Sequence, residues 1–171
     1  MIKYLKMDDS KCVGCMSCTA TCSTKYFKED NPALSCIEVQ GLGKGAFHLV
    51  ACDQECRMCV AECPTKAIIV GPTGIVVINK SLCVGCLACV AVCPIEAMKW
   101  YPGGKNPFKC TACGSCVKSC PKEALSIAEK PDSQASRFPF EAEARVSRAL
   151  AAGGGAAAAA VARGAVQGVA R

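Results

Sequence analysis

Sixteen of the seventeen cysteines in this 171-residue chain form four tight runs with nearly the same spacing. Within a run, three cysteines lie three or four residues apart, and the fourth follows four residues after the third. The runs are Cys12-Cys15-Cys18-Cys22, Cys52-Cys56-Cys59-Cys63, Cys83-Cys86-Cys89-Cys93 and Cys110-Cys113-Cys116-Cys120. Thiolates at this spacing ligate iron–sulfur clusters. The sequence therefore predicts enough ligands for four [4Fe–4S] clusters, and electron transfer as the chemistry.

The spacing within a run has a physical reason. Three cysteines close in sequence let one short loop wrap a face of a cubane and ligate three of its irons. A helix then carries the fourth cysteine away, and in proteins with two clusters this cysteine ligates the other cluster. Pro64, Pro94 and Pro121 follow three of the fourth cysteines and end the helix, because proline has no N–H to donate.

Two other uses of clustered cysteines fit this sequence less well. Disulfides between cysteines so close in the chain would be strained. The N-terminal residues MIKYLKMDDSKC have no apolar core, so we expect no secretory signal peptide and a reducing, cytoplasmic location. Zinc sites pair two short CxxC knuckles across a loop, rather than using three cysteines and a fourth. We therefore expect neither disulfides nor zinc.

The second run raises a third alternative. Its start, Cys52-x3-Cys56-x2-Cys59, resembles the signature of radical-SAM enzymes, which leave one iron open for the substrate. Cys63 and Pro64 follow at the same offset as in the other runs, so no iron need stay open. No long alternation of strands and helices follows to build a barrel, and no P-loop, GxGxxG or nucleophile motif is present. The sequence therefore predicts a non-catalytic chain.

The composition limits how this chain can fold. Aromatic residues make up only 5% of it, and alanine and cysteine inflate the apolar fraction of 51%. We expect the clusters to nucleate the fold and the metal-free chain to be largely unfolded. The formal charge of +6 counts cysteine as neutral, whereas sixteen ligating thiolates and four oxidised cores would bring it to about −2. With no basic–aromatic stripe, we expect no nucleic-acid binding.

The linker between the second and third runs predicts that these two runs pair. Ala67–Val70 and Ile75–Ile78 are short β-branched stretches, and Gly71–Gly74 is a turn between them. Run, hairpin and run is the pattern of a two-cluster ferredoxin. We expect one cluster on Cys52, Cys56, Cys59 and Cys93, and its neighbour on Cys63, Cys83, Cys86 and Cys89.

The first and fourth runs then remain to pair around this insert. Their expected ligand sets are Cys12, Cys15, Cys18 and Cys120 for one cluster, and Cys22, Cys110, Cys113 and Cys116 for the other. The residues alone leave open a second arrangement, in which the first run pairs with the second and the third with the fourth. The linker from Cys22 to Cys52 is the longest between runs, which mildly disfavours that arrangement.

The motifs from residue 1 to about 130 resemble the four-cluster electron-transfer subunits of the dimethyl sulfoxide reductase and formate-hydrogenlyase type. They are CVGCMSCTATC, NPALSCIEV, the CxxxCxxCxxxCP run, CPIEAMKWYPGGKNPFKCTACGSC and CPKEAL. The resemblance implies an α+β, tandem bacterial 2[4Fe–4S] ferredoxin-like domain with one unit nested inside the other. The composition that follows predicts a C-terminal, Ala/Gly-rich helical tail. The four-cluster domain would span 1–130, with an inner unit at about 46–98 and an outer unit of 1–45 plus 99–130.

This compact form looks most like the small ferredoxin subunits that accompany bacterial tungsten-containing aldehyde oxidoreductases. It departs from the broader pattern at Ser23, where the other runs have proline. The resemblance implies a large tungsten-pterin partner that oxidises aldehydes, and a flavin subunit that passes the electrons to NAD. Alternatives are a free-standing polyferredoxin, a hydrogenase, carbon monoxide dehydrogenase or molybdenum-enzyme partner, or clusters that only hold the fold.

The composition changes in the tail, residues 131–171. Glu141–Leu150 predicts a helix, with Glu141 and Arg145 spaced for an ion pair. Small residues then recur every four positions, a spacing that permits close helix contact. They are Ala156, Ala160, Gly164 and Gly168. We expect an arm that docks on a partner or a second copy, with filaments if such contacts do not close. A flexible low-complexity tail is the alternative, and no membrane span is expected.

Four further residues invite a functional interpretation. Cys36 lies in an apparent strand, SCIEV, and we expect it to pack in the core rather than to ligate iron. His48 is the only histidine, so it cannot anchor a histidine-rich metal site. Trp100 and Tyr101 are expected to cover a cluster or pack on a sheet.

Overall fold

Three two-stranded antiparallel sheets and four short helices form residues 1–133, the part of the chain that the computed structural model describes. The strands are β1 (Ile2–Met7), β2 (Glu38–Gly43), β3 (Ala46–Val50), β4 (Ile68–Val70), β5 (Val76–Ile78) and β6 (Leu125–Lys130). The helices are α1 (Ser17–Phe27), α2 (Met58–Glu62), α3 (Ala88–Ala91) and α4 (Ser115–Ser119). This mixture is consistent with the predicted α+β class. The predicted tail helix and its stripe of small residues lie outside the described residues.

The sheet of β1 and β6 joins the two ends of the described chain. The strands pair antiparallel, from Ile2 opposite Lys130 to Met7 opposite Leu125. The Asp8 N–H then donates to the Ala124 carbonyl over 2.8 Å, which carries the pairing one residue further. This pairing therefore brings the start of the first cysteine run close to the end of the fourth run, although about a hundred residues separate them in the chain.

The predicted hairpin between the second and third runs is present as β4 and β5. Ile68 pairs with Ile78 and Val70 with Val76, so each strand is one residue shorter than predicted. The turn closes where the Gly74 N–H donates to the Gly71 carbonyl at 2.9 Å. The Lys3 N–H also donates to the Thr73 carbonyl at 3.2 Å, which links this hairpin to β1.

The strand predicted over SCIEV begins later than expected, and Cys36 lies outside it. β2 starts at Glu38 and pairs with β3. The Ser35 hydroxyl donates to the Ile37 carbonyl at 2.7 Å and accepts from the Ile37 N–H at 3.2 Å. These local bonds occupy the backbone groups that a strand ladder would use. Cys36 is nevertheless buried, at 1% exposure, as the sequence predicted.

The four helices begin at the same place in every cysteine run. The residue after the second cysteine adopts the left-handed conformation, with φ between 52° and 77°, and the helix starts directly after it. These residues are Met16, Arg57, Leu87 and Gly114. The third cysteine is therefore always the second helical residue, and in each helix it is buried.

The helices end differently, and proline explains the difference. α2, α3 and α4 have only four or five residues and stop before the Cys-Pro pair. α1 has eleven residues and runs past Cys22 to Phe27. Ser23 stands where the other runs have proline, so its N–H and flexible φ allow the helix to continue. The Ser23 hydroxyl donates to the Ala20 carbonyl at 3.1 Å inside the helix.

Two apolar clusters form the core, and cysteines occupy both. The first brings Leu5, Ile37, Leu49 and Leu125 together around cysteines of the first and fourth runs. The second brings Ala67, Ile68, Val76 and Met98 around cysteines of the second and third runs. Leu49 packs in the first cluster although the predicted inner unit starts near residue 46. The division into units stays a prediction. Among residues 1–133, no helix has the length and apolarity needed to cross a bilayer.

Gly14 gives a test of the first cysteine loop. Its φ is +67°, and a Cβ there would lie 2.3 Å from the Phe47 ring. Gly45 has φ +77° with nothing within 4 Å, so it is a matched control for backbone strain alone. We expect Gly45→Ala to lower the free energy of unfolding by about 1–2 kcal/mol. Gly14→Ala should lower the thermal midpoint, measured by circular dichroism, more than Gly45→Ala does. Adding Phe47→Ala should bring the cost of Gly14→Ala down to that of Gly45→Ala. If Gly14→Ala and Gly45→Ala destabilise the protein equally while Phe47 is present, the predicted clash with the Phe47 ring would be contradicted.

Candidate iron–sulfur centres

Cysteines from two different runs line each of three cavities. The first cavity has Cys12, Cys15, Cys18 and Cys120 on its wall. The second has Cys22, Cys110, Cys113 and Cys116, together with Cys36. The third has Cys52, Cys56, Cys59 and Cys93. Each set therefore takes three cysteines from one run and the fourth cysteine of another.

The fourth predicted set also comes together in the structure. Burial raises the pKa of Cys89 to about 11, and the neighbouring thiols of Cys83, Cys63 and Cys86 add to that rise. Cys63 and Cys89 lie in the second apolar cluster, and Cys83 and Cys93 pack against it. The structure thus pairs the first run with the fourth and the second with the third. Ligation by each set stays a prediction.

These cysteine sets are too open for a single metal ion. Within residues 1–133, no three His, Cys, Asp or Glu side chains converge closely enough to hold one. Each of the three cavities instead has at least four cysteines spread over its wall. A polyatomic group with several thiolate ligands fits this geometry better than a lone ion.

The buried thiols need a positive group to ionise. Burial raises the pKa of Cys18 and Cys110 to about 11, and that of Cys59 and Cys116 to about 12. Charges on neighbouring cysteines raise these pKa values further, because like charges repel in a low-dielectric interior. Thiolates are the form that ligates metal, so binding must displace these protons. The donor set therefore fits a cationic iron–sulfur core.

Backbone N–H groups point at the fourth cysteine of every run. The Ala67 and Ala97 N–H groups donate to the sulfurs of Cys63 and Cys93 at 3.2 Å. The Ala124 N–H donates to Cys120 at 3.4 Å. The recurring signal in the sequence is C-P-x-x-A, at CPTKA, CPIEA and CPKEA, although sequence reasoning did not use it. Hydrogen bonds to cluster sulfurs are one determinant of reduction potential.

Cys36 supplies the same contact in the first run, which has no proline. Its N–H donates to the Cys22 sulfur at 3.3 Å. A hydrogen bond from the Cys36 thiol lowers the pKa of Cys22 to about 6, and the same bond raises the pKa of Cys36. Within this pair the Cys22 thiol therefore ionises before the Cys36 thiol.

The four cysteine sets lie next to one another in a fixed order. The charge of Cys18 acts on Cys116, which joins the first set to the second. The charge of Cys52 acts on Cys110, which joins the second set to the third. The charge of Cys89 acts on Cys59, which joins the third set to the fourth. Sequence reasoning left this order open.

Three buried polar side chains surround the third cavity, and sequence reasoning missed them. Lys109, Gln54 and Arg57 are each at most 4% exposed and line the cavity beside Cys52 and Cys59. Arg57 forms an ion pair with Asp132 at 2.7 Å. The only advance signal was the position of Lys109, directly before Cys110.

The remaining singled-out residues lie at the surface or support loops. His48 Nδ1 lies 2.6 Å from Asp9 Oδ2 and is half exposed, so it ties β3 to the segment before the first run. Tyr101 packs edge-on against Phe27, with ring centroids 5.6 Å apart. The Trp100 indole N–H donates to the Gly104 carbonyl at 2.6 Å and the side chain is 39% exposed.

Comparison with known families agrees with this chemistry. Residues 51–97 and 75–121 each match a family model described as a 4Fe-4S dicluster domain. Residues 9–25 match a 4Fe-4S binding domain. The matched segments together contain all four cysteine runs.

Relatives are similar over the same part of the chain. The chain is 39% identical over 110 residues to the B subunit of polysulfide reductase of Wolinella succinogenes, covering 60% of this chain and 58% of the relative. It is 37% identical over 106 residues to the polyferredoxin-like subunit of aliphatic sulfonate oxidoreductase of Pyrococcus furiosus, covering 60% of each. The chain thus spans about three fifths of the length of these curated relatives.

A solved structure, the active-site complex BamBC of benzoyl coenzyme A reductase, aligns with 95% of this chain and 98% of its own, at 19% identity and a TM-score of 0.44. The assignment of [4Fe–4S] clusters rests on the family matches and the cysteine geometry, not on this alignment. This chain therefore contains segments similar to 4Fe–4S binding and dicluster domains, at residues 9–25, 51–97 and 75–121, and it binds several [4Fe–4S] clusters.

Proposed function

We propose that this chain is a non-catalytic electron-transfer subunit that holds four [4Fe–4S] clusters. Each cluster would take three cysteines from one run and the fourth cysteine of the paired run. The sets are those predicted from the sequence: Cys12, Cys15, Cys18 and Cys120; Cys22, Cys110, Cys113 and Cys116; Cys52, Cys56, Cys59 and Cys93; Cys63, Cys83, Cys86 and Cys89. A bound [4Fe–4S] cluster supplies one-electron transfer, without any bond to substrate being made on this chain.

One observation carries the proposal. Four sets of cysteines lie in an unbroken series, each with a cysteine close enough to the next set to perturb its pKa. A protein that used its clusters only to hold the fold would not need them in a continuous row. A row of four one-electron centres suits the relay of charge from one end of the molecule to the other.

The relatives support a catalytic partner. The B subunit of polysulfide reductase and the polyferredoxin-like subunit of aliphatic sulfonate oxidoreductase are named as parts of larger enzymes. We infer that this chain also accompanies a large oxidoreductase subunit, which releases electrons that the clusters accept one at a time. A free-standing polyferredoxin, diffusing between enzymes, is the alternative.

The motif resemblance supports a more specific partner. It favours a tungsten-pterin aldehyde oxidoreductase subunit as donor and a flavin subunit linked to NAD as acceptor. A hydrogenase, carbon monoxide dehydrogenase or molybdenum enzyme would be served by the same row of clusters. Self-association through residues 131–171, giving filaments, rests on the composition of the tail alone.

Metal analysis tests the cluster count. Protein purified without oxygen should contain about sixteen iron and sixteen sulfide per chain and titrate as four one-electron centres. Removing the iron with a chelator, still without oxygen, should abolish the circular-dichroism signal of the fold, because the chain has little other core. An iron-poor, colourless protein with unchanged circular dichroism would contradict the proposal.

Cys36, the cysteine outside the four runs, allows a test that distinguishes cluster ligands from neighbouring cysteines. Cys36→Ala should keep the full iron content and all four centres, because we propose that its thiol donates to Cys22 and does not bind iron. Cys113→Ala changes a proposed ligand of the same cavity and should lose iron from one cluster. Iron analysis and electron paramagnetic resonance of the two variants, prepared identically, make the comparison. Equal losses would place Cys36 among the ligands.

The partner and the tail can be tested in one purification. We expect the tagged full-length chain, expressed in its native host, to retain a large subunit that contains tungsten and a flavin. A version ending after Ser133 keeps the Arg57–Asp132 and Glu55–Ser133 contacts, so its fold should be unchanged. Metal and flavin analysis identifies the partner, and negative-stain imaging compares particle length. Tungsten-free preparations would exclude that partner, and equal particle lengths would exclude filaments built by the tail.

A further inference from the structure

Lys109 is a buried cation between two of the proposed clusters. Its side chain is 4% exposed. The ammonium nitrogen donates to the Gln54 Oε1 at 2.7 Å, to the Val76 carbonyl at 2.9 Å and to the Cys110 carbonyl at 3.0 Å. A neutral amine has only two N–H groups, so three acceptors at these distances require the charged form.

In the described part of the chain, no carboxylate contacts this ammonium group directly. All three acceptors are neutral oxygens, and within residues 1–133 no aspartate or glutamate forms an ion pair with Lys109. Arg57 lines the same cavity but is already paired with Asp132. A buried and unpaired cation is costly, because a low-dielectric interior solvates it poorly. The counter-charge must therefore come from the cysteine thiolates and the clusters they hold.

The charge faces mainly the third cysteine set. Lys109 lines that cavity together with Cys52 and Cys59. Its ammonium also donates to the backbone carbonyl of Cys110, but no cysteine of the second set lines this cavity.

We propose that Lys109 raises the reduction potential of the cluster held by Cys52, Cys56, Cys59 and Cys93, making it the electron-holding site of the row. This inference rests on the proposed cluster assignment. The cluster gains one electron from an external donor and becomes more negative by one charge. A fixed cation beside it stabilises that reduced state more than the oxidised state, and weak screening in the interior preserves the effect.

The test is a potentiometric titration of the fully loaded protein, followed by electron paramagnetic resonance with dithionite as the electron donor. Lys109→Gln removes the charge but keeps an amide that can still donate to the buried oxygens. We expect the reduced-to-oxidised ratio of one centre to fall at least tenfold at fixed potential, which is about 59 mV for a one-electron couple. Cys56→Ser, which alters one ligand of the same set, identifies which centre that is.

Three further variants make the result specific to charge. Lys109→Arg keeps the cation and should leave the potential near that of the parent. Lys122→Gln removes an exposed lysine from the wall of the first cavity and should move no centre tenfold. Gln54→Glu places a carboxylate against the ammonium without changing Lys109, and should lower the same potential. If Lys109→Gln does not take up its clusters, the result with Gln54→Glu decides the test by itself.

The outcomes separate the two proposals. If the parent protein lacks four reducible centres, the proposed function fails. If the parent has them, and Lys109→Gln or Gln54→Glu loads fully with no centre moved, only the role of Lys109 is overturned. Equal shifts in Lys109→Gln and Lys109→Arg would also overturn it, because they would trace the effect to packing.

Discussion

Sixteen thiolates within a small domain repel one another and resist burial, and the rest of this structure depends on how that charge is balanced. Aliphatic and aromatic side chains make up only part of the core, since cysteines occupy positions in both core clusters. The positive cores of the clusters must supply most of the cohesion. Because the fourth cysteine of each run lies with another run's set, the proposed ligation would balance charge and hold distant parts of the chain together. The pairing of β1 with β6 fits this proposal, since it accompanies the placement of Cys12 and Cys120 on the wall of one cavity.

The protein backbone provides the second layer of charge balance. A left-handed residue after the second cysteine turns the chain and starts a helix, so the third cysteine is buried at the same position every time. A tight turn after the Cys-Pro pair then brings an alanine N–H onto the fourth sulfur. The first run lacks proline and continues as a helix, and Cys36, from a separate loop, donates in place of the alanine. Two different local structures thus meet one electrostatic need.

Buried charge is placed unevenly along the proposed row of clusters. Lys109 and Gln54 lie between the second and third cysteine sets. Lys122, on the wall of the first cavity, is exposed instead, and water screens its charge. A site in the interior that favours the extra electron would act as a store between a donor at one end and an acceptor at the other.

Local spacing alone predicted the cysteines that we propose as ligands, and it determined the Gly71–Gly74 hairpin and the helices that stop at Cys-Pro, because each depends on residues only a few positions apart. The sequence also predicted that Cys36 is buried, but placed it in a strand, since Ser35 hydrogen bonds that break the ladder leave no periodic signal. Only the tertiary structure decided the order of the four sets, the burial of Lys109 and the contact between Cys36 and Cys22. These depend on chain segments brought together from far apart, where loop closure, packing and desolvation act and sequence patterns do not reach.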